Sequence, residues 1–243
     1  MKINIKRYIS EPEVKEAVLE YEVDLVDATL LEVLHHIKTT QDPSLSFASG
    51  CRSSVCGSCS MRVNEKEVLA CAYKVQDGDL IEPLKNVEVI RDLVVDMDKA
   101  YTFNAKAKAW LSTISGDIAL TQEDEERNAL QSDCILCGSC YSACPVYAVN
   151  EEFLGPFALT RVWKYVSDPR ELEASSKIDT IQSNGVWDCT LCNECSMVCP
   201  QGISSKSDIE KLRTKSAQFG YMDPSFGNFG GFGETSFDGS PTF

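Results

Sequence analysis

Twelve cysteines in three tight blocks constrain this chain more than any other feature. They stand at 51, 56, 59 and 71, at 134, 137, 140 and 144, and at 189, 192, 195 and 199. A disulfide framework spreads its cysteines through the loops of a small secreted domain, whereas C-x2-C clusters gather thiolates around metal. The blocks therefore predict metal ligation in a compartment where thiols stay reduced or bound.

The first block has the C-x4-C-x2-C…C spacing of a plant-type [2Fe–2S] site, with Cys51, Cys56, Cys59 and Cys71 as ligands. Small residues between them (Ser53, Ser54, Gly57, Ser58) leave backbone N–H groups free to bond cluster sulfurs. Arg52, beside a ligand, would raise the potential by stabilising the reduced cluster; its plain reading is an ordinary loop arginine. Zinc prefers paired knuckles to this asymmetric run.

The second and third blocks each match the bacterial run C-x2-C-x2-C-x3-C-P, ending at Cys144-Pro145 and Cys199-Pro200. In two-cluster ferredoxins the fourth cysteine of each run ligates the other cluster. On that rule Cys134, Cys137, Cys140 and Cys199 hold one [4Fe–4S] cube, and Cys144, Cys189, Cys192 and Cys195 hold another. Three one-electron carriers in one chain make a wire. The chain has no G-x-G-x-x-G fingerprint and no Walker loop, so the two-electron chemistry is expected on a partner.

Around these blocks, periodicity predicts strands at 2–9 and 20–26 joined by a loose connection over 10–19. Thr29 to Glu32 reads as a capping box opening a helix over 29–39. A hairpin at 61–63 and 67–70, a turn at 77–79 and a final strand at 87–90 complete a small sheet packed on one helix. Past residue 95 the pattern turns helical, at 96–111, 122–132, 156–166 and 205–217, with the acidic run at 121–126 opening one helix. The predicted class is α+β: a β-grasp domain over residues 1–97, an all-α domain over 98–218, and a Gly- and Phe-rich tail over 219–243 that is disordered or lies on a partner.

The formal charge of −14, from 37 acidic against 23 basic residues, excludes phosphate-backbone binding and suits solubility or docking on a basic redox partner. No run of 18 apolar residues and no signal-peptide core occurs, so neither a membrane span nor export by its own leader is expected.

The order of one plant-type site and two bacterial runs about 45 residues apart resembles the iron–sulfur subunit of the succinate dehydrogenase and fumarate reductase family. The likeness spans roughly 1–215 and rests on Ser49-Gly50-Cys51-Arg52, Cys56-Gly57-Ser58-Cys59, Leu69-Ala70-Cys71, Cys134-Ile135-Leu136-Cys137-Gly138-Ser139-Cys140 and Gly155-Pro156. It implies a β-grasp ferredoxin domain followed by a helical ferredoxin domain. It also implies an FAD-containing catalytic partner that interconverts succinate and fumarate, and a membrane partner that handles quinone. The first site would lie nearest the flavin and the Cys189 block nearest the membrane, peripherally on the cytoplasmic face; co-export with a partner to the periplasmic face is the alternative.

Two departures from the family pattern stand out. Common members lack a cysteine at the position of Cys192 and carry [3Fe–4S] there; here the full set implies [4Fe–4S], in a branch whose membrane partner is cysteine-rich. Common members also place a tryptophan and a histidine where this chain has Val149 and Thr190, which removes the usual quinone contacts. Trp163, Trp187 and Tyr147 read as core or interface aromatics, and His35 and His36 as surface residues. The rival readings are an electron-transfer subunit for another flavoprotein or a thiol-linked reductase, a free-standing polyferredoxin, and a zinc-binding structural module.

Overall fold

A computed structural model describes residues 1–9, 15–112 and 118–227. Strands β1 (Lys2–Ile9) and β2 (Lys15–Glu22) pair antiparallel from Lys2↔Glu22 to Ile9↔Lys15. Helix α1 (Leu30–Thr40) follows, then the hairpin β3 (Ser60–Val63) and β4 (Lys66–Leu69), and β5 (Leu80–Glu82). The sheet order is β2-β1-β5-β3-β4, with β1 and β5 parallel, which is a β-grasp sheet. Strands β6 (Val89–Arg91) and β7 (Val94–Val95) form a separate ribbon.

The capping box is present. Thr29 Oγ1 accepts from Glu32 N–H at 3.3 Å, and Glu32 Oε2 accepts from Thr29 N–H at 2.7 Å. The helix buries Leu30, Leu31, Val33, Leu34 and Ile37 on one face against Ile3, Ile5, Met61 and Ile81 of the sheet. Each such side chain contributes about 1.5–3 kcal/mol on burial.

Several sequence expectations are corrected. Strand β2 begins at Lys15, so residues 15–19 are paired and not loose, while 10–14 lie outside the described residues. Val18 and Leu19 are exposed on this edge strand, which removes the inward alternation that marks a strand. The central strand β5 was missed because three residues cannot show a period. The predicted final strand at 87–90 falls instead in the β6–β7 ribbon, off the sheet.

The second half is helical: α2 (Asp98–Lys106), α3 (Gln122–Glu126), α4 (Ala129–Ser132), α5 (Ser139–Ser142), α6 (Pro145–Val149), α7 (Pro156–Val166), α8 (Ala174–Thr180), α9 (Glu194–Met197), α10 (Ser205–Gln218) and α11 (Pro224–Gly227). Helix α2 stops earlier than residue 111, since Lys108 turns left-handed at φ 49°. The predicted helix over 122–132 is two short ones, because Gln122–Glu126 buries no residue and nothing holds the chain helical through Asn128. Phe219 is described, half exposed and near the Lys215 ammonium. Of the tail aromatics, Phe229, Phe232, Phe237 and Phe243 lie outside the described residues.

A second core joins Phe103, Tyr141, Tyr147, Phe153, Phe157, Leu159, Val162, Ile209 and Leu212. Tyr147 is buried among these rings, edge-on to Tyr141 at 4.9 Å. Trp163 packs against the same core under the Lys211 ammonium, and Trp187 donates to Gln182 Oε1 at 2.8 Å. His35 is half-buried and edge-on to Phe47 at 5.0 Å, with a buried Nε2, so it is not the plain surface residue expected.

The two halves are sewn together by polar contacts. Ser60 Oγ and Ser139 Oγ lie 2.8 Å apart, Ser142 Oγ donates to Glu67 at 2.7 Å, and Asn86 Nδ2 donates to the carbonyls of Tyr141, Ser142 and Cys144 at 3.1, 2.9 and 3.4 Å. At Gly57 the two backbones approach closely, since a Cβ there would stand 2.8 Å from Cys137 Cβ and 2.9 Å from its Cα.

A buried ionic knot locks β1 to the ribbon. Arg7, 1% exposed, donates to Asp92 at 2.8 Å, to Tyr21 at 2.7 Å and to Asp42. Removing one partner of a buried ion pair costs about 3–5 kcal/mol. Arg7→Met should lower unfolding stability by that order in urea titration of the loaded protein. Burial alone would raise the Asp42 carboxyl, but hydrogen bonds from Ser44, Tyr21 and Arg7 outweigh it and hold the group well below the usual carboxylate range. A depressed folded value means its contribution is complete above the unfolded value near about 3.9 and is lost as pH falls below it. Wild type should therefore lose stability below about pH 4 more steeply than Asp42→Asn. Gly155 has φ 81°, and a Cβ there would meet the Tyr141 ring at 2.1 Å. With ψ at 169° the residue sits in a region that essentially only glycine enters, so Gly155→Ala should cost about 1–3 kcal/mol in overpacking plus about 1–3 kcal/mol in backbone strain, read as a lower thermal midpoint.

Candidate iron–sulfur cluster sites

The 51–59 loop is short and its residues small, so the chain can curl its amides inward. Left-handed residues at Arg52 (φ 60°), Ser54 (φ 59°) and Gly57 (φ 72°) alternate with others, a geometry that forms a nest of N–H groups. Those amides point at sulfur. Ser53 and Val55 N–H reach Cys51 Sγ at 3.3 and 3.4 Å, Cys51 N–H reaches Cys56 Sγ at 3.3 Å, and Ser54 N–H reaches Cys71 Sγ at 3.3 Å. The Cys56 thiol is lowered to about 6 by the Ser58 hydroxyl and then by backbone donors, whereas burial pushes Cys59 up to about 11. Cys71 feels burial most, yet the Ser54 hydroxyl and N–H bring it below the ordinary thiol value. Arg52 is exposed.

Cys134, Cys137, Cys140 and Cys199 line one cavity, closed by Phe157, Pro200 and Ile203. The cysteine expected to cross over from the third block is thus in place beside the second. Burial pushes the Cys134, Cys137 and Cys140 thiols up. Among the described residues no group of three or more His, Cys, Asp or Glu is placed to hold a single metal ion. The thiols surround a space, and four soft donors around a space fit a cluster.

Of the residues expected at the third site, Cys144, Cys189 and Cys195 each feel the charge of Cys192. Burial pushes Cys195 up to about 12. Leu191 N–H reaches Cys189 Sγ and Tyr147 N–H reaches Cys144 Sγ, both at 3.4 Å. Pro145 opens α6 with Cys144 as its N-cap, so the proline that ends the run also aims the sulfur. Cys192 itself is exposed, as are Val149 and Thr190.

The two runs repeat one backbone. Leu136 and Leu191 have φ 53° and 56°, and Gly138 and Asn193 have φ 82° and 74°. Gly138 enters the left-handed region freely, with only the movable ends of Met97 and Leu84 near where a Cβ would stand, while Asn tolerates the same region at 193. Each run then enters a four-residue helix, α5 or α9.

Neighbouring sets adjoin: the Gly57 backbone abuts Cys137, and helix α5, which carries Cys140, packs on α9, which carries Cys195. Two supporting residues carried no sequence signal. Arg213 on α10 donates to the Val186 and Cys189 carbonyls at 2.8 and 2.6 Å, and Asn86 caps α5. Neither belongs to a cysteine motif, and each acts on backbone that only the fold brings near.

Residues 2–102 match a 2Fe-2S iron–sulfur cluster binding domain, and residues 131–203 match a 4Fe-4S dicluster domain. The chain is 36% identical over 235 residues to the 8-methylmenaquinol:fumarate reductase iron-sulfur subunit of Wolinella succinogenes, covering 90% of this chain and 74% of that one. It is 36% identical over 227 residues to the fumarate reductase iron-sulfur subunit of Mycobacterium tuberculosis, covering 88% and 92%. A chain of the Mycobacterium smegmatis Sdh1 complex in the apo form superposes with a TM-score of 0.74 at 23% identity, over 91% of this chain and 97% of that one, and so shares its fold. This protein belongs to the family of iron–sulfur subunits of fumarate reductase and succinate dehydrogenase.

Proposed function

We propose that this chain is the electron-transfer subunit of a succinate:quinone or quinol:fumarate oxidoreductase, carrying electrons between FAD on a catalytic partner and quinone at a membrane partner. The observation that carries the reading is the adjacency of the cysteine sets, with Gly57 against Cys137 and helix α5, which carries Cys140, packed on α9, which carries Cys195. Bound iron–sulfur clusters would supply one-electron carriers. The chain's own residues hold the thiols, aim N–H groups at the sulfurs and keep neighbouring sets in contact. Residues 1–97 act as the [2Fe–2S] domain and 98–218 as the two-cube domain.

The proposed ligands are Cys51, Cys56, Cys59 and Cys71 for [2Fe–2S]; Cys134, Cys137, Cys140 and Cys199 for the first [4Fe–4S]; and Cys144, Cys189, Cys192 and Cys195 for the second. A cysteine at 192, whose charge Cys144, Cys189 and Cys195 each feel, supports four irons over three in that last site. No helix among the described residues is long and apolar enough to cross a membrane. Attachment through a membrane partner on the cytoplasmic face belongs to the proposal and rests on the family likeness.

Purification of the chain with its FAD partner should yield succinate-dependent dye reduction or quinol-dependent fumarate reduction. An assembled, flavin-containing complex that does neither would overturn the reading. In the oxidised state the wild-type complex should show no [3Fe–4S] EPR signal, and Cys192→Ser should create one with the loss of about one iron per chain. A [3Fe–4S] signal in the undamaged wild type would remove Cys192 from the ligand set.

A further inference from the structure

The Ser54–Val55 peptide connects two of these sites. Ser54 is held in the left-handed region at φ 59°, a strained place for a residue with a side chain. Its N–H and Oγ lie 3.3 and 3.5 Å from Cys71 Sγ, and the N–H of Val55, at the far end of the same peptide, lies 3.4 Å from Cys51 Sγ. The Ser54 carbonyl accepts from Gln201 Nε2 at 3.0 Å, across 147 residues of sequence. Gln201 stands two residues beyond Cys199 and lines the cavity of Cys134, Cys137, Cys140 and Cys199.

We propose that Gln201 is a positioning residue of the first cube's loop that sets the potential of the [2Fe–2S] site, by gripping the Ser54 carbonyl and strengthening the Val55 N–H as a donor to Cys51 Sγ. This rests on the ligand sets proposed above. A carbonyl that accepts a hydrogen bond polarises its peptide, and the N–H at the other end becomes the stronger donor. Donors to ligand sulfur stabilise the reduced, more negative cluster and raise its potential. Gln201 is uncharged, so its effect runs through the peptide and through its hold on a strained turn. No bond or proton is exchanged; only the balance between the oxidised and reduced site moves.

Gln201→Met keeps the reach and removes the donor, while Gln201→Lys keeps a donor. Each is made in the full complex and followed by EPR-monitored redox titration of the [2Fe–2S] signal, with iron and sulfide content alongside. Q201M is expected to retain full iron while its one-electron reduction equilibrium falls about 1.3-fold to fourfold, from the roughly 10–30% strengthening that polarisation adds to one hydrogen bond to charged sulfur. That corresponds to about 7–35 mV at about 59 mV per tenfold. Q201K is expected at or above the wild-type potential. A Q201M midpoint equal to wild type, equal downward shifts in both variants, or loss of the cluster in Q201M would each overturn the inference, the last by assigning Gln201 a purely structural role. Failure of the ligand reading itself would show differently, as a wild-type complex without a [2Fe–2S] signal.

Discussion

Desolvation of sulfur governs this structure. Thiols that are buried resist ionisation, as burial does to Cys59, Cys140 and Cys195. A thiolate kept in such a place needs compensation from backbone N–H groups or from metal. The left-handed residues of the three cysteine loops exist to aim those N–H groups, and they fix the paths of the chain between the ligands. The small helices α5 and α9, the proline turns and the approach of Gly57 to Cys137 all follow from that demand.

Much of the plan was legible because the chemistry is written in side chains. Spacing placed Cys199 beside the second block, and the cavity puts it there. Thr29 and Glu32 announced a helix start that formed as read. Gly155-Pro156 opened α7 where expected, with the further reason, invisible in sequence, that the Tyr141 ring occupies the space of a side chain at 155.

What was not legible depends on partners far along the chain. Leu80-Ile81-Glu82 is too short to show a period, yet it sits centrally, parallel to β1 and antiparallel to β3. Val18 and Leu19 hid an edge strand by facing outward. Arg213, Asn86 and Gln201 act through amide and guanidinium contacts to carbonyls at the cysteine loops, and no local pattern marks a residue whose target is backbone from another block.

The crossing of fourth ligands also imposes an order in time. Under the proposed sets, a growing chain holds a complete [2Fe–2S] ligand set once Cys71 has emerged. Neither cube has its four ligands until the third block is made: the second is complete at Cys195 and the first only at Cys199, because each borrows from the other's run. In the folded chain Asn86 grips the carbonyls of Tyr141, Ser142 and Cys144, so contacts that shape the Cys140–Cys144 turn come from the N-terminal half and use no residue of the third block. The first half thus supplies part of the mould for a ligand turn of the second, and on the proposed sets neither cube becomes loadable until the third block has been synthesised.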